Sequence, residues 1–167
     1  MMTSIPDTGL GGFDAHDHAD CIATAMRVAE LRCAQDGLRF TPVRRTVLEI
    51  LLREHRAMGA YSVLEELSAR GFGSQPPVAY RALDFLVAQG FVHKVERLNA
   101  FIACAAPGDA HAPAFMICRV CETVAEASCA PMRSAFGHAA AERGFTIERT
   151  VIEAEGICPS CTGAAPE

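Results

Sequence analysis

The chain has 167 residues, of which 50% are hydrophobic, and a formal net charge of −5. A chain of this length can bury one ordinary hydrophobic core or two small ones. It contains no apolar run long enough for a membrane-spanning helix, and no basic start followed by an apolar stretch, which argues against a secretory signal. We therefore expect a cytoplasmic protein.

The charge is unevenly distributed. Residues 1–37 carry two basic and six acidic side chains, residues 38–104 nine basic and six acidic, and residues 105–167 four basic and eight acidic. Only the middle section is positive, so nucleic acid, if it binds, should contact the middle of the chain. An excess of three charges is common in unrelated domains and does not by itself indicate DNA binding.

The first two thirds of the chain predict helices followed by a β-hairpin. Apolar residues at helical spacing predict four helices: Ala19–Asp36, Thr41-Pro42 to about His55, Tyr61–Arg70, and Pro76-Pro77 to Gly90. Thr41 and Pro42 form a strong helix start, because threonine caps free backbone N–H groups and proline fits the first turn. Two predicted strands, Phe91–Glu96 and Asn99–Cys104, follow. We expect residues 1–18 to form a disordered tail, in which His16 and His18 are either solvated or loosely bound to a metal.

This order of elements is that of a winged helix-turn-helix domain over residues 19–104, whose fourth helix would enter the major groove of DNA. Along that helix Tyr80 and Asp84 point away from the predicted core, and Arg81 lies on its flank. Tyrosine and arginine suit contacts with phosphates and base edges. A solvated helix surface would show the same pattern.

The remainder of the chain predicts a second, smaller α/β domain and thus an α+β protein. The sequence Ala-Ala-Pro-Gly-Asp interrupts the pattern and indicates a hinge over residues 105–112. Residues 113–162 would form the domain and residues 163–167 a tail. Its predicted elements are strands Ala114–Cys118 and Thr123–Ala127, helix Pro131–Arg143 and strand Phe145–Glu155. So small a unit needs support from a metal, from dimerisation, or from both.

The chain has eight cysteines. Four of them form two pairs with the spacing C-x-x-C, and 36 residues separate the two pairs. In a reducing cytosol such pairs indicate zinc or redox chemistry rather than structural disulfides. Two pairs supply a tetrahedral set of four thiolates, which zinc accepts without leaving an open position. Thioredoxin-like redox chemistry, the alternative, normally uses one C-x-x-C at a helix start. We predict a structural zinc on Cys118, Cys121, Cys158 and Cys161.

A second set of potential ligands is spread around the hinge: His93, Cys104, His111 and Glu126. Singly, His93 also fits an exposed strand histidine, Cys104 a small buried thiol and Glu126 a surface charge. As a set they offer two imidazoles, a thiolate and a carboxylate. A thiolate among nitrogen ligands favours zinc over iron(II), manganese or magnesium. Ligands from both sides of a hinge are what a metal-operated switch would need.

Five segments resemble the ferric uptake regulator family, and within it the zinc uptake regulator branch. They read R-F-T-P-V-R-R-T-V-L, A-Y-S-V-L, P-P-V-A-Y-R-A-L-D-F-L-V-A-Q-G-F-V-H-K-V-E, H-x-x-x-F-M-I-C-x-x-C and V-I-E-A-E-G-I-C-P-S-C. The Y-R-A-L-x-x-L helix leading into G-F-V-H-K-V-E is highly specific. The resemblance covers about residues 20–161.

The resemblance implies a zinc-responsive transcriptional repressor of zinc-uptake genes, which binds AT-rich inverted repeats of operator DNA as a zinc-loaded homodimer. It implies two zinc ions per chain, a structural one on the four cysteines and a regulatory one on His93, Cys104, His111 and Glu126. It places Tyr61, Tyr80 and Arg81 where relatives contact DNA. It implies no enzymatic activity, small-molecule substrate or membrane partner.

Two departures from the family pattern keep alternatives open. The family often has Thr-Val-Tyr-Arg where this chain has Val78-Ala79-Tyr80-Arg81, so a threonine available for phosphate contact is missing. Iron-type members carry a His-rich run before the first cysteine pair, of which H-A-P-A-F keeps His111. This weakens the interpretation of the protein as an iron or peroxide sensor.

His138 either supports an auxiliary site or lies on the surface. An enzyme with a Cys-rich zinc centre is the alternative from another class, but a catalytic zinc needs an open position.

Overall fold

The computed structural model describes residues 18–54, 56–107 and 113–163. Backbone contacts divide the described residues into an N-terminal unit, within residues 18–107, and a C-terminal unit, residues 113–163. Both helices and strands are present, which confirms the predicted α+β class. No helix in these three ranges is long and apolar enough to cross a membrane. His16, His111, the predicted hinge beyond residue 107 and residues 164–167 lie outside the described residues.

The N-terminal unit consists of four helices followed by a hairpin. They are α1 (His18–Gln35), α2 (Pro42–Arg53), α3 (Ala60–Ala69), α4 (Pro76–Ala88), β1 (Val92–Val95) and β2 (Ala100–Ala103). Thr41 caps α2 as predicted, since its Oγ1 accepts the backbone N–H of Arg44 at 3.4 Å. The predicted and observed helix limits differ by one or two residues, the usual uncertainty of helix ends.

One hydrophobic core holds the four helices together. Its largest fully buried side chains come from α2, α3, α4 and β1, and they are Val47, Leu48, Leu51, Val63, Leu67, Leu83, Leu86 and Val92. Burying each such side chain stabilises the fold by about 1.5–3 kcal/mol. Because α4 buries Ala82, Leu83 and Leu86, its opposite face remains on the surface.

Three residues, 89–91, join α4 to the hairpin. Gly90, with φ +74°, ends the helix in the left-handed conformation, and the N–H of Phe91 donates to the carbonyl of Leu86 at 2.9 Å. β1 and β2 pair antiparallel with His93 opposite Ile102. In the turn between them Asn99 adopts φ +46°, which asparagine tolerates better than most residues. Four helices and this hairpin form the predicted winged helix-turn-helix architecture.

The C-terminal unit is a small mixed sheet with two helices. It comprises β3 (Pro113–Cys118), β4 (Val124–Ser128), α5 (Ala130–Ala141), β5 (Ile152–Gly156) and α6 (Pro159–Thr162). β3 lies in the centre, antiparallel to β4 and parallel to β5. The parallel pairing requires a crossover connection, and α5 lies within it.

The predicted strand Phe145–Glu155 is wrong in its first half. The observed strand begins at Ile152, which pairs with Ala114, one residue after β3 starts. In this parallel register Pro113 is the one β3 residue left for the residues before Ile152, and those before Val151 have no β3 residue to pair with. The run of β-branched residues after Phe145 gave a strand-like pattern, but pairing partners rather than composition set the length of a strand. The sequence did not predict the four-residue helix α6.

Candidate metal centres and nucleic-acid interface

The register of the C-terminal sheet brings the two C-x-x-C pairs to the same end. Cys118 is the last residue of β3 and pairs with Gly156, the last residue of β5. Cys158 follows two residues later as the residue that precedes α6. Between the two cysteines of the first pair the chain turns back, with the N–H of Glu122 donating to the carbonyl of Cys118 at 2.9 Å.

The four sulfur atoms of Cys118, Cys121, Cys158 and Cys161 all lie within 4.8 Å of one another. The Sγ atoms of Cys121 and Cys158 are 3.7 Å apart. Zinc with tetrahedral Zn–S bonds of about 2.3 Å sets its sulfur ligands about 3.8 Å apart. The cluster therefore fits a four-thiolate zinc ion in both donor type and spacing.

The surroundings of the cluster favour thiolate at some positions and thiol at others. The backbone N–H of Cys158 donates to Cys118 Sγ at 3.3 Å and, as the largest cause, lowers the pKa of Cys118 to about 6. The Thr123 hydroxyl, 3.1 Å from Cys121 Sγ, lowers the pKa of Cys121. Hydrogen bonds with Cys158 and Cys121 raise the pKa of Cys161 to about 12. Four thiolates at one point thus require a cation, and a divalent metal ion provides the charge.

His93 and Cys104 are a second set of potential metal ligands in the described residues. Within the N-terminal unit, His93 lies on β1 and Cys104 directly after β2, and their ligand atoms are within 4.8 Å of each other. Cys104 is 4% exposed, and its N–H donates to the carbonyl of Phe91 at 2.9 Å. His93 Nε2 is inaccessible to solvent. His93 is therefore not the exposed strand histidine of the alternative interpretation.

Glu126 lies in the C-terminal unit, on β4 opposite Phe115. Glu126 is 7% exposed, and no other charged residue in the described ranges is buried. Burying a carboxylate is costly unless hydrogen bonds or a cation compensate. Glu126 is therefore not a surface charge. His138 is exposed on α5 and belongs to neither set of potential ligands.

The exposed face of α4 and the hairpin border a groove of about 470 Å³. We call it the wing groove; its polar lining residues include Tyr61, Tyr80, Asp84, Lys94 and Asn99. The structure thus brings together Tyr61, from the first turn of α3, and Tyr80, from α4. Arg81 is exposed next to Tyr80 and does not line the groove.

The sequence patterns did not indicate that Lys94 and Asn99 belong to this surface. Lys94 lies between His93 and Val95 on a four-residue strand in which the end residues Val92 and Val95 are buried. That pattern departs from simple alternation, which is why the orientation of Lys94 did not follow from the sequence. A turn asparagine next to a predicted wing was the signal that would have indicated Asn99.

Comparison with known proteins gives the family. No protein-family model matches the chain. The zinc uptake regulation protein of Escherichia coli K12 is 40% identical over 134 residues, which are 80% of this chain and 78% of that protein. The relative of the same name from Shigella flexneri shows the same identity and coverage.

Two solved structures support the same assignment. A zinc uptake regulator complexed with zinc and DNA superposes with a TM-score of 0.80 at 36% identity, covering 90% of this chain and 98% of that one. The crystal structure of holo XcZur gives a TM-score of 0.76 at 34% identity, covering 89% and 100%. The chain therefore belongs to the ferric uptake regulator family, in its zinc uptake regulator branch.

Proposed function

We propose that this protein is a zinc-responsive transcriptional repressor of zinc-uptake genes, which binds inverted-repeat operator DNA as a zinc-loaded homodimer. The observation that carries the proposal is the position of His93 and Cys104. His93 lies on the first strand of the hairpin and Cys104 directly after the second, and Lys94 and Asn99 of the same hairpin line the wing groove. A metal held by these two side chains acts on the same element that borders the groove.

Recognition of DNA falls to α4 and the first turn of α3. In this proposal α4 enters the major groove, where Tyr80 and Arg81 lie on its exposed face. Tyr61, 66% exposed, lies across the wing groove and contacts the phosphate backbone. Asp84, on the same face of α4, would repel phosphate. The part of α4 around Asp84 therefore contacts bases or water.

Arg81→Ala is expected to weaken operator binding by about 1–3 kcal/mol if Arg81 reads a base. If it contacts phosphate alone, the loss is similar on every sequence and the salt dependence falls by about one charge. Fluorescence anisotropy at several salt concentrations measures both quantities.

The matched control is Arg70→Ala. Arg70 is paired with Glu66 on α3 at 3.4 Å, and its loss should leave operator affinity unchanged. Arg81→Ala with wild-type operator affinity would show that Arg81 lies on a passive surface.

We assign the regulatory zinc to His93, Cys104, His111 and Glu126. His93 and Cys104 would hold a zinc ion on the side of the wing, and Glu126 would contribute a carboxylate from the C-terminal unit. The Cys104 thiolate favours zinc over iron(II) and manganese, which sets this proposal apart from an iron or peroxide sensor.

We assign the structural zinc to Cys118, Cys121, Cys158 and Cys161, and the dimer contacts to the C-terminal unit. None of the α5 residues is buried within the chain. Met132 and Phe136 on α5 and Phe145 after it are each more than half exposed. Large apolar side chains that cluster on a surface mark protein–protein interfaces. A second copy of the chain is the partner that this surface fits.

Membership of the family makes the protein a transcription regulator rather than an enzyme. We infer a cytoplasmic location, where its DNA target lies. Selection of duplexes from a random-sequence pool by the purified protein tests the proposal. An inverted repeat should be enriched when zinc is present and lost when zinc is chelated. Enrichment of no sequence would contradict the function.

A further inference from the structure

Arg44, near the start of α2, is tied to three parts of the N-terminal unit at once. Its backbone N–H donates to the Thr41 cap at 3.4 Å. Its guanidinium donates to the carbonyl of Arg39, in the segment between α1 and α2. The guanidinium carbon also lies 3.5 Å from the centre of the Phe85 ring on α4. The Arg44 side chain therefore connects α2 to α4 and to the segment between α1 and α2.

The Phe85 contact is closer than the other cation–π pairs in the described residues. Arg32 lies 5.5 Å from the Phe91 ring and Arg45 5.4 Å from the Phe40 ring. At 3.5 Å the guanidinium is in van der Waals contact with the aromatic face, as in a stacked pair. Arg44 is half-buried, and Phe85 packs at the edge of the hydrophobic core.

The position of Phe85 on α4 allows a contact with its ring to fix the rotation of α4 about its axis and its shift along that axis. Phe85 follows Arg81 by four residues, so the two side chains lie one above the other on the same side of the helix. Asp84 on one side of Phe85 is exposed, and Leu86 on the other is fully buried. A shift of the Phe85 ring would therefore move the exposed residues of α4 relative to the core.

We propose that Arg44 is a positioning residue for DNA recognition, which holds α4 against α2 by stacking on Phe85. Its guanidinium is engaged by the Arg39 carbonyl and the ring face, so it acts on DNA through α4 rather than as a phosphate contact. Lysine cannot replace it, because an ammonium group neither stacks nor reproduces the planar donors of a guanidinium. This inference rests on the proposed function, in which α4 reads the operator.

The experiment uses the zinc-loaded full chain and the duplex that it selects from a random pool, with an unrelated duplex of equal length as comparison. Arg44→Lys should bind the selected duplex about 5- to 30-fold more weakly, the range that corresponds to a stacked cation–π contact. Its affinity for the unrelated duplex and its salt dependence should match those of the wild type. Phe85→Leu should show the same loss, and the double variant should lose no more than either single variant.

Arg45→Lys is the matched control. Arg45 is the next residue, pairs with Glu30 and makes a longer contact with the Phe40 ring. The affinity of Arg45→Lys for the selected duplex should therefore match that of the wild type within about twofold. Urea unfolding of each variant separates positioning from folding, because a purely structural role lowers the unfolding free energy and leaves the affinity of the folded protein unchanged.

Three results would overturn the inference. Full affinity of Arg44→Lys would show that charge alone is needed, and an equal loss on both duplexes with a weaker salt dependence would make Arg44 a phosphate contact. Additive losses in the double variant would show that Arg44 and Phe85 act independently. A wild-type protein that selects no duplex would instead contradict the proposed function, so the two failures are distinguishable.

Discussion

Replacement of Cys104 by serine is expected to abolish most zinc-dependent operator binding while leaving the fold, the dimer and the four-cysteine zinc in place. Serine keeps the size of the side chain and the N–H bond to the Phe91 carbonyl, but it removes the soft thiolate that favours zinc. Bound zinc should fall from about two to about one per chain, with loss of the ion that is coupled to DNA binding. The affinity lost should correspond to about 1–3 kcal/mol, the usual size of such a coupling.

Weak and salt-sensitive binding to any DNA should remain, because the basic section of the chain is unchanged. In cells the zinc-uptake genes would be expressed even when zinc is plentiful. Metal analysis by mass spectrometry and a zinc titration of operator binding measure the effect.

Two other cysteines serve as controls for Cys104. Cys21 is exposed, and Cys21→Ser should retain both zinc ions and normal repression. Cys33 is buried in the helical core, where desolvation raises the pKa of its thiol, so Cys33→Ser should lower stability without changing the number of bound zinc ions. If Cys104→Ser still represses at ordinary zinc concentrations, Cys104 is a packing residue. If it unfolds, this zinc supports the fold and the sensing ligands lie elsewhere.

Cys118→Ser should have the larger effect on structure, with loss of the structural zinc, the dimer and all operator binding. The C-terminal unit has a three-stranded sheet and few large buried side chains, chiefly Phe115, Ile117 and Val124. Metal binding to small four-ligand sites contributes about 10–16 kcal/mol, as much as the whole net stability of a typical domain. Analytical ultracentrifugation combined with metal analysis measures both losses.

Cys129→Ser is the matched control, because Cys129 precedes α5 and is not part of the four-cysteine cluster. It should remain dimeric with its full complement of zinc. A Cys118→Ser protein that stays dimeric and keeps that complement would show that the cluster does not support the fold.

Local patterns in the sequence were sufficient for the helices and for the approach of the two cysteines within each C-x-x-C pair. Thr41 and Pro42 define the start of α2 through short-range hydrogen bonding, and Gly90 defines the end of α4 through its backbone freedom. The spacing of Cys118 and Cys121 reflects the geometry of one turn, so their convergence was predictable. Each of these features depends on residues a few positions apart.

Features that depend on distant pairing were not predictable from the same patterns. The start of β5 at Ile152 is set by its register with Ala114, and the sequence of β5 alone does not contain that register. The contact between Arg44 and Phe85 joins two helices, and the wing groove depends on how Tyr61 and Lys94 are brought together by the core. His111, predicted as a ligand, lies outside the described residues and remains a prediction.

We propose that zinc, held in part by Cys104, switches this protein onto its operator. A titration of binding to the selected inverted repeat with zinc, iron(II) and manganese, at buffered free-metal concentrations, tests it most directly. We expect zinc to produce operator binding at far lower free concentration than the other two ions, and Cys104→Ser to remove that response. Operator binding that iron(II) or manganese induces at a free concentration equal to or below that of zinc would contradict the account.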